Sequence, residues 1–125
     1  YEYSNLGACL LGQAIEFRAG KPYEKLVAER ICGPLRMDNT TVNFTRRNGV
    51  PALPGAGLVC STANDMLKFA SAGLGLTPSA LTPLLRHEYA THGGGSDSYL
   101  VLDHVHHRAL VTLAAARANN ASRKL

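Results

Sequence analysis

Apolar residues recur three to four positions apart at Leu6, Leu10, Leu11, Ala14, Ile15 and Ala19, painting one face of a helix predicted over residues 6–19. Gly20 follows as the residue able to take the left-handed stop. The spacing returns at Tyr23, Leu26, Val27 and Ile31, so a second helix is predicted over 23–31, with Pro22 suited to its first position and Gly33-Pro34 ending it. Thr40, Thr41 and Val42 give 40–44 the β-branched content of a brief extended segment. Asn48-Gly49, Pro51, Pro54-Gly55 and Gly57 mark 45–57 as a long loop, and a loop of that length in a compact domain usually carries function.

A third helix is predicted over 63–72, with Met66, Leu67, Phe69 and Ala70 as its apolar face. Ser61 or Thr62 caps it, and Asp65 completes a capping box if Thr62 is the cap. Pro78 opens a short helix over 79–87 through Leu81, Leu84 and Leu85. After Tyr89 the pattern turns extended, with strands predicted at 99–102 and 109–113 and a hairpin connection over 103–108. Helices followed by strands define an α+β chain whose strands form an antiparallel sheet edge.

Composition narrows the classes. With 46% hydrophobic and 18% charged residues the chain is not a disordered segment. Its 125 residues suit one domain, able to bury roughly two thirds of its unfolded surface. The net charge is +4, and basic residues such as Arg18, Arg30, Arg46, Arg47, Arg86 and Arg123 are scattered along the chain, which makes solvated faces and not a nucleic-acid stripe. Cys9, Cys32 and Cys60 are an odd set without C-x-x-C spacing, each among apolar neighbours, and are expected as buried free thiols. No apolar run reaches the roughly 18 residues of a membrane span, and no secretory leader pattern stands at Tyr1. Without an initiating Met the chain is expected to be a processed or excised piece, and extracytoplasmic and cytoplasmic locations both stay open.

Candidate chemistry gathers at two places. Tyr3-Ser4-Asn5 sets a phenol, a hydroxyl and a carboxamide at the mouth of the first helix, offering proton relay and two-way hydrogen bonding. The same residues also read as a helix N-terminus, with Ser4 or Asn5 as the cap and Tyr3 as a packed staple. His92-Gly93-Gly94-Gly95 reads, by itself, as a glycine-rich turn beside an exposed imidazole. His104, His106 and His107 invite a metal reading, but only Asp103 joins them, so a polar hairpin tip without metal is expected.

The run Tyr1-Glu2-Tyr3-Ser4-Asn5-Leu6-Gly7, then Leu10-Leu11-Gly12, Gly20-Lys21-Pro22-Tyr23 and Ile31-Cys32-Gly33-Pro34-Leu35-Arg36-Met37, resembles the serine β-lactamase and penicillin-binding-protein-like hydrolases. Gly57-Leu58-Val59-Cys60-Ser61-Thr62-Ala63-Asn64-Asp65-Met66 and His92-Gly93-Gly94-Gly95 fit the same family in the same order, in the branch of class C β-lactamases, D-alanyl-D-alanine carboxypeptidases and related esterases. The resemblance implies that 1–125 is a single partial domain of a β-lactamase/transpeptidase-like fold, mainly helical over 1–90 and stranded over 91–118. It implies Tyr3 as general acid/base, Asn5 as holder of the substrate amide, and His92 at the K-T-G position orienting substrate. Gly93 and Gly94 would let the substrate approach the backbone, and the Gly95 N–H would face the oxyanion. The substrate class is a small acyl compound (a β-lactam, a D-Ala-D-Ala peptide or an ester), with no cofactor, and the 45–57 loop would lie near the rim of the site.

One family element is missing. The nucleophile is the Ser of S-x-x-K, where a Lys three residues on shares the helix face and accepts the serine proton. Here the residues three before Lys21, Lys25, Lys68 and Lys124 are Arg18, Pro22, Asp65 and Ala121, none of them Ser. The chain is therefore expected to be inactive alone and to leave a sheet edge or an apolar helix face for a missing N-terminal half, another chain or self-association to cover. The alternative is a binding or interaction domain that kept the fold without the serine. A Cys-dependent hydrolase using Cys9 or Cys60 is disfavoured, since neither has a His near it in sequence and both lie in apolar runs.

Overall fold

The computed structural model describes residues 4–42, 54–56, 59–83, 89–93 and 98–112. They form an α+β arrangement that falls into two compact units, Tyr1–Phe69 and Ala70–Leu125.

In the first unit, α1 (Asn5–Ala19) starts from extended Ser4, whose Oγ accepts the Gly7 N–H at 3.1 Å. It ends where Gly20 turns left-handed at φ 62° and donates its N–H to the Glu16 carbonyl at 2.9 Å, the stop expected from the sequence. The side of α1 that packs is the side of small residues, Cys9 and Gly12. A Cβ on Gly12 would stand 2.5 Å from the Pro54 carbonyl carbon and 2.9 Å from the Gly55 nitrogen, so only hydrogen lets the 54–56 turn come this close. The periodic face read from the sequence lies elsewhere on the helix: Leu6, Leu10, Leu11 and Ile15 are exposed, as is Phe17 at 93%. Periodicity identifies a face, but backbone proximity at Gly12 decides which face is covered.

Glu16 links α1 to the next helix, its Oε1 accepting the Tyr23 N–H at 2.7 Å. Pro22 is the residue before α2 (Tyr23–Val27) and not its first member, and its carbonyl accepts the N–H groups of Lys25 and Leu26. The helix does not stop at Gly33-Pro34. It widens into a π-helical turn, Ala28–Cys32, and runs on as α3 (Gly33–Leu35). Pro34 has no N–H to give and its ring crowds the carbonyl four residues back; widening the preceding turn relieves that crowding. The stop is made by Arg36 in the left-handed region at φ 54°, with Arg36 N–H on the Gly33 carbonyl at 3.0 Å and Met37 N–H on the Cys32 carbonyl at 2.8 Å. Leu26, Cys32, Leu35 and Met37 are the buried apolar residues of this segment.

β1 (Thr41–Val42), inside the extended segment expected at 40–44, pairs antiparallel with β2 (Val59–Cys60), Thr41 opposite Cys60. All three cysteines are free; Cys9 and Cys32 are buried as expected, whereas Cys60 is exposed because its two-residue strand is not covered there. α4 (Ala63–Gly73) opens under Thr62, whose Oγ1 accepts the Asp65 N–H at 3.3 Å. Of its expected apolar face, Ala70 is buried and Leu67 is exposed.

In the second unit Ala70, Leu74 and Leu102 make the core, with Leu100 and Val111 packed against it. β3 (Tyr89–Gly93), β4 (Tyr99–Asp103) and β5 (Arg108–Thr112) form an antiparallel sheet in that order. Leu102, 1% exposed, stands opposite Ala90 and Ala109; burying a leucine this completely contributes about 1.5–3 kcal/mol. The hairpin tip is polar, as expected: the Asp103 carboxylate accepts the N–H groups of Val105 and His106 and lies 2.8 Å from His106 Nδ1. Where a helix is expected over 79–87, residues 80–83 form a turn closed by the Thr82 N–H on the Ser79 carbonyl, and residues 84–88 lie outside the described residues. No helix among the described residues is long and apolar enough to cross a membrane.

Candidate active site

Of the two motifs, the N-terminal one is placed by the start of α1. Tyr3 lies outside the described residues. Ser4 is the helix cap, its hydroxyl committed to the Gly7 N–H, and Asn5 is the exposed first residue of the helix. The cap therefore falls to Ser4, and Asn5 stands at the positive end of the helix.

The second motif is placed by β3. His92 and Gly93 end that strand, opposite Leu100 and Tyr99 of β4, while Gly94 and Gly95 lie outside the described residues. His92-Gly93 is thus strand backbone and not part of a turn. Asn5 belongs to the first unit and His92 and Gly93 to the second.

A network that the sequence reading reduces to a capping box lies at the start of α4. Asp65, 0% exposed, accepts from the Asn39 N–H at 2.8 Å, from Thr40 Oγ1 at 3.0 Å and from Lys68 Nζ at 2.9 Å. Thr40 Oγ1 is also 2.7 Å from Ser61 Oγ, and Lys68 Nζ donates to the Arg36 carbonyl. The Lys68 ammonium holds the Asp65 carboxyl below its ordinary range against the opposing effect of burial, with Asn39 and Thr40 assisting. The network clamps the end of α3, the approach to β1 and the start of α4. Its one sequence signal is the i,i+3 spacing of Asp65 and Lys68; the Asn39 contact spans 26 residues and has no local trace.

Beside it lies an apolar hollow of about 250 Å³ between the π-helical turn and β1, lined by Val27, Ala28, Cys32 and Val42 with Glu24 and Thr40. Burial, and then the Asp65 charge, push the Cys32 thiol up, which keeps it protonated and unreactive. At the β4–β5 tip burial pushes the Asp103 carboxyl up, but the His106 N–H, the His106 ring and the Val105 N–H outweigh it and leave the group below its ordinary value. Among the described residues no group of three or more His, Cys, Asp or Glu side chains could hold a metal ion.

Helices and antiparallel strands, with Ser4-Asn5 opening a helix and a His-Gly pair closing a strand, define an α+β chain. The Beta-lactamase family model matches residues 1–99, a stretch that takes in Tyr3-Ser4-Asn5 and His92-Gly93-Gly94-Gly95 in order. The chain belongs to the Beta-lactamase family, within the serine β-lactamase and penicillin-binding-protein-like superfamily. No curated protein matches it.

Proposed function

We propose that the chain is a portion of a serine acyl hydrolase of the class C β-lactamase, D-alanyl-D-alanine carboxypeptidase and esterase branch, acting through an acyl-enzyme whose serine lies outside this sequence. The observation that carries the reading is the family match over 1–99, which spans both motifs. Tyr3 serves as general acid/base, Asn5 holds the substrate amide, and His92 orients the substrate. Gly93 and Gly94 admit it to the backbone, and the Gly95 N–H stabilises the oxyanion. The missing S-x-x-K makes the chain inactive alone in this reading. The exposed Leu6, Leu10, Leu11, Ile15 and Phe17 are consistent with a nucleophile-bearing portion covering that side of α1.

The test is hydrolysis of nitrocefin or a p-nitrophenyl ester by the chain combined with a polypeptide carrying the family's S-x-x-K segment. Tyr3→Phe is expected to lower turnover by about 10²–10⁴-fold, the usual contribution of a positioned acid or base. Activity retained in Tyr3→Phe would defeat the assigned roles. If the combination neither hydrolyses nor becomes labelled, a binding domain without catalysis takes the place of this reading.

A further inference from the structure

We draw no further inference here: the strongest candidate, the apolar face of α1 formed by Leu6, Leu10, Leu11, Ile15 and Phe17, carries nothing beyond the reading already proposed, because nothing in the structure shows what covers it.

Discussion

Replacing Gly12 with Ala adds one methyl group in the middle of α1, where helix propensity alone favours the change by about 1 kcal/mol. The surroundings oppose it. The new Cβ would stand 2.5 Å from the Pro54 carbonyl carbon and 2.9 Å from the Gly55 nitrogen. Carbon atoms settle at roughly 3.5–4.0 Å, so one main chain must retreat by about 1 Å. The turn cannot yield by rotating a side chain, because both contacts are backbone atoms. Gly55 is itself held at φ 84°, with its own Cβ position 3.1 Å from the Ala8 carbonyl carbon. Overpacking costs about 1–3 kcal/mol, and contacts this short between backbone atoms belong at its upper end, so after the propensity gain a net loss of up to about 2 kcal/mol remains. Gly7→Ala is the internal control. Its Cβ would meet only Ser4 Cβ at 3.6 Å and Ser4 Oγ at 3.7 Å, ordinary contacts, so a gain of about 0.5–1 kcal/mol is expected. Thermal unfolding followed by far-ultraviolet circular dichroism reads both, at roughly 4 °C per kcal/mol for a chain of this size. Gly12→Ala should lower the midpoint, by up to about 8 °C, and Gly7→Ala should raise it by about 2–4 °C. If both raise it equally, the 54–56 turn does not sit against α1 and the packing argument fails.

Three further outcomes follow from the same geometry. Ser4→Ala removes the acceptor of the Gly7 N–H and should destabilise the chain by about 1 kcal/mol in urea titration, with Ser4→Asp restoring most of it; equal loss in both variants would show that capping is not the cause. Arg36→Gly relieves a left-handed residue at φ 54° and should raise the unfolding midpoint, a gain of up to about 1 kcal/mol once the extra freedom of the unfolded chain is subtracted. A lowered midpoint there would mean that the Arg36 side chain contributes more than its backbone strain costs. Asp65 has a folded-state pKa below its unfolded value, so its contribution is fully present above roughly pH 4 and is lost as the pH falls through the folded value. Asp65→Asn should therefore lower stability at neutral pH and flatten the acid limb of the stability profile; an unchanged acid limb would assign the acid sensitivity to other carboxylates.

What could be read from the residues follows the range of the interaction. Ser4 and Gly20 end α1 through bonds to residues three and four away, and both are legible because the partners are local. The β4–β5 hairpin is legible for the same reason, from two apolar extended runs around a polar tip. The π-helical turn is not, since the 3.6-residue pattern of Tyr23, Leu26, Val27 and Ile31 carries no mark of the widening that Pro34 brings. Nor is the exposure of Leu10, because the backbone that packs on α1 comes from residue 54 onward. The Asp65 network escapes because its partners Asn39 and Thr40 stand some 25 residues upstream. At the candidate site, the position of Asn5 at a helix start follows from neighbouring residues, whereas His92-Gly93, which reads locally as a glycine-rich turn, closes the strand β3 through pairing with β4. Which side chains meet across a cleft depends on packing between distant segments, and no periodicity encodes it.

Labelling with a fluorescent penicillin or fluorophosphonate, read as a covalent band on a denaturing gel, bears most directly on the claim that this chain supplies an acid/base and an oxyanion donor but no nucleophile. The expected result is no band from the 125-residue chain alone, and a band on an S-x-x-K-bearing polypeptide mixed with it that fades with Tyr3→Phe. A band on this chain by itself would contradict the claim.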